Sequence, residues 1–510
     1  MVGSRVKNHN ISSFLRKKEE KMEKLVIKRH TFGRTPILTM ESEVTRENIV
    51  EVLRKAVPTF EKNAGECEYL YNYYKGCQPI LARVKEIRPE IKNTIVVNRA
   101  YEIVTFKTGR FLYKNIQYVN RTESMTKEVN TLNSFMYDDG KSGKDRELVD
   151  WIHICGHGYR MVLDAPAADG IPFHTYTIEP TRAFVVYTDT YDRRPVLGVY
   201  YTWYDDEKEG KHKVYTCYTA DTVYEIENDE IKSITPHLLG AVPIVEYPAN
   251  YARLGCFEMV IELLDAINLA TSNRQDGLEQ FIQALLVFKN LNLEEGDVSR
   301  LRQEGAICLP EGSDVDYLVH ELNQSQTQTL VDDLYQAVLT ICGMPNRQSG
   351  STSTSDNKGA VVLRDGWSAA ATAVKETKQY FESAERNMLK MVLKVFNLYE
   401  DAQTSEARKP LTISDIEVHF DEGEYENMLE KAQVLTMLLA NDWVHPKDAY
   451  AFSNITPDPE SAYLSGKQFH EEQEAKAVDE LMEANNVRVH GQSDGTPNAE
   501  DGSEVQPAEG

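Results

Sequence analysis

A few stretches of this sequence carry side chains whose types and spacing could do chemistry. Gly140-Lys141-Ser142-Gly143-Lys144 has the glycines and lysines of a phosphate-binding loop. That motif needs four residues between its glycines and a Ser or Thr after the Lys. Here two residues intervene and Asp145 follows, a carboxylate that would repel phosphate, so the stretch reads as a solvated turn ahead of a helix over 145–156. His153, Cys155 and His157 set metal-ligand types on alternate residues. On a strand the three would share one face. The surrounding pattern is helical, however, and Gly156 and Gly158 predict a helix-to-strand turn; zinc coordination is the alternative. Tyr69, Tyr71, Tyr73 and Tyr74 crowd one helix end. They could stack on bases, or pack against a sheet, which is the reading adopted. Residues 343–359 hold nine Ser, Thr or Gly among 17, with Arg347 and Lys358 as the only cations. Long loops of this kind often carry function.

Composition narrows the classes. The 510 residues are 41% hydrophobic and 27% charged, which suits a globular chain with a large core or several. Lys and Arg total 56 against 80 Asp and Glu, a net charge of −24. A protein that holds nucleic acid by neutralising phosphates should be basic, so that class is disfavoured. No apolar run approaches the roughly 20 residues that cross a bilayer, which predicts no membrane contact. The first 30 residues carry nine Lys or Arg and no apolar signal core, so synthesis and retention in the cytoplasm are expected. Seven cysteines without a Cys-x-x-Cys predict reduced, mostly buried thiols.

The elements that must position these residues change character along the chain. A strand-like Leu25-Val26-Ile27 precedes a helix predicted over 42–75, with Ser42 and Thr45 as caps. A helical stretch ends near Gly109, an alternating segment runs from Phe111 to Val119, and 122–160 reads as polar helix. Residues 159–247 are rich in Tyr, Thr and Val in short runs, a β-rich module. From 256 a helical stripe of Phe257, Val260, Ile261, Leu264 and Ile267 appears; a second, Leu278, Phe281, Ile282 and Leu285, follows a polar break at 271–277. Strands are predicted at Ala306–Leu309 and Val315–Val319, then a helix over 325–342 with Leu330, Leu334, Val338 and Ile341 on one face. After the loop, a long helix spans 360–400 and could bend at Gly366. An amphipathic helix over 424–441 (Leu429, Leu435, Leu438, Leu439), a turn opened by Pro446 and a polar helix over 460–484 lead to an acidic tail from 485, expected to be disordered. On residues alone this is an α+β chain with no legible active site; its long helices and acidic charge favour an assembly protein over an enzyme.

An ordered set of segments over roughly 60–465 resembles the portal proteins, or head–tail connectors, of tailed bacteriophages. Tyr73-Tyr74-Lys75-Gly76, Asn98-Arg99-Ala100-Tyr101, the run Pro180–Tyr187, the run Pro243–Asn250, Leu264-Asp265 with Asn268, Gly343-Met344-Pro345 and the run Gly359–Trp367 carry it. The resemblance implies a β-rich wing, a long helical stem, a small α/β clip and a helical crown, in a ring usually of twelve subunits. On this chain it divides as N-terminal extension 1–40, wing 41–250, stem helix 251–285, clip 286–320, second stem helix 321–343, tunnel loop 344–359, long helix and wing return 360–423, crown 424–484 and tail 485–510.

The resemblance further implies a structural protein of the virion, not an enzyme, with no cofactor and no metal. It would sit at one capsid vertex, where the viral genome is packaged and ejected. Its expected partners are copies of itself, the major capsid protein, scaffold protein, terminase, head–tail adaptors, and double-stranded DNA passing without sequence readout. Arg347, Gln348, Ser349, Ser351, Thr352, Asn357 and Lys358 would line the channel, with Glu258, Glu262 and Asp265 adding acidity in the stem. A zinc-dependent hydrolase using His153, Cys155 and His157, or a generic cytosolic scaffold, are the competing readings.

Overall fold

The structure is a computed structural model that describes residues 33–490 apart from 87, 122, 167–168, 207–209, 283–284, 290–313, 319–323, 346–366, 404–407, 421–427, 454 and 457–458. It divides into two units, Met1–Glu422 and Gly423–Gly510.

In chain order the first unit runs β1 (Ile37–Thr39), α1 (Ile49–Tyr74), α2 (Arg99–Phe111), β2 (Gln117–Asn120), α3 (Thr126–Asp138) and α4 (Lys141–Cys155). Eight strands follow: β3 (His157–Asp164), β4 (Phe173–Ile178), β5 (Ala183–Thr188), β6 (Pro195–Asp206), β7 (Gly210–Tyr218), β8 (Thr222–Glu227), β9 (Glu230–Pro236) and β10 (Ile244–Pro248). Then come α5 (Ile261–Ile282), β11 (Leu285–Lys289), β12 (Asp314–Leu318), α6 (Gln324–Ile341), α7 (Trp367–Gln403) and β13 (Ile416–His419).

The β-rich stretch splits into two sheets. One has the order β1-β5-β6-β7-β8-β9, the other β10-β3-β4. The first is an antiparallel meander, closed at one edge by β1, which pairs parallel to β5. Its inner face, with Phe184, Val186, Leu197 and Val199, packs on Val52, Leu53, Ala56 and Phe60 of α1. The three-stranded sheet packs with α3 and α4 against α7, where Phe381, Met388, Val392 and Phe396 are buried. At about 1.5 Å per residue, the 37-residue α7 is about 55 Å long.

The centre of that second core is ionic. Arg160 on β3 and Glu385 on α7 are fully buried. Lys141 Nζ lies 2.7 Å from Asp145 and 2.8 Å from Glu385; Arg160 lies 2.7 Å from Asp145 and 3.7 Å from Glu385. Tyr118 and Tyr247 donate to the two Glu385 oxygens at 2.6 and 2.7 Å. Two cations therefore meet two anions, which is the condition for burying charge without a large desolvation loss. Burial alone would push the Glu385 carboxyl up, but Lys141 and Arg160 outweigh it and hold it at about 2.

This corrects the reading of the Gly140–Lys144 stretch. It is no solvated turn: Gly140 takes a left-handed φ of 68°, which a glycine accepts without strain, and the helix begins at Lys141, whose ammonium is buried. Other boundaries shift too. The first helix starts at Ile49, because Thr45 and Asn48 form a turn of their own before it. The polar stretch 122–160 contains two helices, α3 and α4, and no break falls at 271–277, where α5 continues. Leu25–Ile27, Ala306–Leu309, Cys308 and Gly366 lie outside the described residues. Cys67, Cys155, Cys217 and Cys342 are buried free thiols, whereas Cys77 is exposed. No helix of the described residues is long and apolar enough to cross a membrane.

The second unit holds α8 (Met428–Leu439), α9 (Pro446–Ser453) and α10 (Pro459–His490). Pro446 occupies the first turn of α9, where its missing N–H costs nothing. The last helix reaches His490, beyond the 484 expected, so the first residues assigned to the tail are helical.

Two outcomes follow from these charges. Glu385→Gln should cost about 3–5 kcal/mol in chemical denaturation, because it leaves Lys141 and Arg160 short of a carboxylate. Since Glu385 ionises lower in the fold than in the unfolded chain, its contribution is complete above about pH 4.5 and should fade as pH falls toward 2. His174 behaves oppositely. Its Nε2 lies 2.9 Å from Asp169 and its Nδ1 3.0 Å from Asp139, and hydrogen bonds to these carboxylates raise its pKa. Asp139 also receives Lys144 and the Thr175 hydroxyl and amide, with Tyr176 beside the ring. The stabilisation should be complete below about pH 6.5 and lost as pH rises through the higher folded value. Titration of the His174 ring by NMR should show that raised value, and Asp169→Asn should lower it.

Candidate functional site

The stretch from 256 to 342 folds back on itself as a helical hairpin. Its residue pairs fix the direction: the Cys342 thiol donates to the Cys256 carbonyl at 3.6 Å, and Arg274 bonds Gln328. The helices α5 and α6 are therefore antiparallel. Beyond them β11 and β12 continue the hairpin, in register from Leu285 with Leu318 to Lys289 with Asp314. The strand at 285–289 was not expected, and 315–319 was. These two strands pair with each other.

The faces of α5 are divided among three tasks. Phe257 and Val260, in the turn just before the helix, and Leu264 and Ile267 on it enter the core with Val338, Leu339 and Cys342, as the first apolar stripe predicts. On α6 the apolar stripe is only partly covered: Val338 is buried, but Leu330 and Ile341 are exposed. A second face of α5 is polar and equally buried. Asn268, Ser272 and Asp276, one helical turn apart, accept the backbone N–H groups of Val97, Ile95 and Asn93 at 2.8, 3.0 and 2.7 Å. Four helical residues rise about 6 Å, and two extended residues about 6.6 Å, so the extended segment 93–97 runs antiparallel along the helix with each alternate amide satisfied. Lys85 and Arg83 close the end on Asp276 at 3.0 and 3.1 Å. The supposed polar break at 271–277 is this ladder. Polar residues at i, i+4 and i+8 were the signal that could have found it.

The third face, with Glu262, Leu269 and Asn273, is exposed. The acidic residues assigned to the stem thus separate. Glu262 is exposed, and Asp265 is half-buried and accepts the Tyr73 hydroxyl at 3.0 Å. Glu258 is 2% exposed and receives Arg34, the Gly33 amide at 2.9 Å and the Gly255 amide at 2.8 Å. Its charge is neutralised inside the subunit, so it presents none to a surface. The residues assigned to a tunnel loop, Arg347, Gln348, Ser349, Ser351, Thr352, Asn357 and Lys358, lie outside the described residues. The loop leaves α6 after Cys342 and Gly343, whose φ is 61°.

His153, Cys155 and His157 sit at the helix-to-strand turn that the two glycines predict, and their donor atoms engage different partners. His153 Nδ1 is 3.0 Å from the Thr108 hydroxyl, the Cys155 thiol is 3.7 Å from the Cys67 carbonyl, and His157 Nδ1 is 3.3 Å from the Cys155 carbonyl. Burial lowers the two imidazoles to about 3 and about 4. Among the described residues no group of three or more His, Cys, Asp or Glu is placed to hold a metal ion. What the turn does is seat the start of the α5–α6 hairpin. Cys256 N donates to the His153 carbonyl at 2.7 Å, and a Cβ on Gly156 would lie 2.0 Å from the Arg253 carbonyl. The tyrosine cluster packs as expected, though on helices instead of a sheet: Tyr71 on Trp151 at 4.8 Å and Tyr73 on Phe257 at 5.9 Å. Gly491-Gln492-Ser493-Asp494-Gly495 spells a hydrolase nucleophile pattern and lies outside the described residues. That pattern acts at a strand-to-helix turn; here it directly follows a helix.

Residues 53–477 match the family model for phage portal proteins of the SPP1 Gp6-like type. No curated protein sequence matches the chain. Among solved structures it is similar to the neck of an empty GTA particle computed with C6 symmetry, at 13% identity and TM-score 0.43 over 70% of this chain and 90% of that one. It is also similar to the neck of a native GTA particle computed with C12 symmetry, at 12% and 0.39 over 71% and 92%, and to the virion of a native gene transfer agent particle, at 12% and 0.41 over 77% and 94%. The chain belongs to the phage portal protein family: it is a portal protein, a head–tail connector.

Asp276→Ala should release the segment it holds. Hydrogen exchange at Asn93 and Ile95 should rise by an order of magnitude or more, from loss of a buried charged hydrogen bond of about 1.5–3 kcal/mol, while the amides of α4 keep their protection.

Proposed function

We propose that copies of this chain form a ring around an axial channel at a capsid vertex, and that double-stranded DNA passes through it during packaging and ejection. The family match over residues 53–477 carries this reading. The hairpin of α5 and α6 is the stem, and the exposed face with Glu262 turns toward the lumen. The segment at its tip, including β11 and β12, is the clip, where terminase docks first and the adaptor later. Residues 424–484 form the crown. The capsid and scaffold proteins meet the ring's outer surface. A net charge of −24 per subunit suits a wall along which DNA slides, because like charge opposes lasting phosphate contacts. Arg347 and Lys358 are the only cations of the loop 344–359 and would make brief, sequence-independent contacts with the DNA backbone. Ser, Thr and Gly around them let the loop of each subunit adopt its own shape against a duplex whose symmetry differs from the ring's. The competing zinc-hydrolase reading has no support in the geometry, since its three ligands are each engaged elsewhere.

Negative-stain images of the purified protein should show a ring with an axial hole; a population of monomers under assembly conditions would count against the reading. Arg347→Glu with Lys358→Glu should leave the ring intact and reduce the DNA retained per particle, equally for unrelated DNA sequences. Parental retention in that double mutant would remove the loop from the channel.

A further inference from the structure

Where the first described residues meet the stem, a small polar pocket is enclosed by side chains from six segments. Its walls include Arg34, Asn63, His157, Tyr159, Glu246 and Arg253. It offers about 10 Å³, the room of one water molecule. Arg34 is 4% exposed and lines it. One end of the guanidinium is engaged with Glu258, and Nε is 3.6 Å from Glu66, but Nη1 is buried without a hydrogen-bond partner. His157 supplies the complementary group. Its Nδ1 faces the Cys155 carbonyl and so carries the proton, which leaves Nε2 with a lone pair. The Asn63 amide is committed on both sides to Thr35.

The charge around the pocket decides what it can take. Arg34 is balanced by Glu258 and Arg253 by Glu246, whose second oxygen also receives the Tyr187 hydroxyl at 2.8 Å. An anion would add an uncompensated charge beside Glu246 and Glu66, and a cation would meet two guanidiniums. Either would be a buried charge without a counter-ion, which is costly. A neutral guest that both accepts and donates fits, and water is the one of this size.

We propose that this pocket is a site for one ordered internal water, which accepts from Arg34 Nη1 and donates to His157 Nε2. Glu246 is the remaining acceptor on the lining. The water joins the segment 33–37 to the start of β3 and to β10, at the same place where Arg34 reaches the first turn of the stem. It lets a fully charged guanidinium remain buried with only two carboxylates in contact.

A density map of the assembled wild-type ring, at a resolution that shows waters, should contain one isolated peak within hydrogen-bond reach of both Arg34 Nη1 and His157 Nε2. No peak there, or Nη1 turned onto a protein acceptor, overturns the proposal. Crystals grown in bromide should give no anomalous signal at the site; a signal there means an anion and overturns it as well. In His157→Leu the peak should be lost while the Arg34–Glu258 pair persists. An unchanged peak in that variant refutes the role given to His157. Should the variant fail to fold, the wild-type map and the bromide crystals decide the matter alone.

Discussion

A carboxylate with no access to water dictates much of this architecture. Glu385 sits in the middle of a 37-residue helix, and burying its charge is tolerable only if cations and hydroxyls converge on it from elsewhere. They come from α4, β3, β2 and β10, elements far apart in sequence. Each brings one group to Glu385, and Asp145 on α4 balances the second cation. The consequence is geometric: the long helix has one angular setting and one axial position against the three-stranded sheet. An apolar core of equal size would permit sliding by a turn, because aliphatic side chains repack at small cost, whereas a displaced ion pair leaves bare charge.

The same logic recurs where the α5–α6 hairpin begins. Arg34 and Glu258 neutralise each other between the segment before β1 and the turn before α5, and Arg253 and Glu246 do so between the approach to α5 and β10. The backbone closes in as well, with Gly156 and Gly255 allowing contacts that any side chain would block. The ladder from Asn268 to Asp276 then fixes the extended segment 93–97 along α5. Together these tie the hairpin firmly to the sheets at its base. A base held by charge and close backbone contact resists deformation, while the third face of α5 stays exposed.

Much of this was legible beforehand wherever one face of an element is apolar. The stripe from Phe257 to Ile267, the Tyr- and Val-rich strands, and the helix opened by Pro446 follow from periodicity, β-propensity and the fixed φ of proline, all of which act over a few residues. The ordered segments that carry the portal resemblance are likewise in the chain itself, as are the acidic charge and the loop rich in Ser, Thr and Gly. What the sequence by itself determined is therefore the class of most elements and the family. Only the tertiary structure decided what the polar residues do. Lys141 looks like a solvated turn residue, Asn268, Ser272 and Asp276 look like a helix break, and Glu258 looks like a surface acid; each is buried against a partner 171 or more positions away, and Lys141 also against Asp145 on its own helix. A polar side chain announces nothing about its partner through local spacing, because its cost depends on distance and dielectric in the finished fold, and those exist only once the distant elements have met.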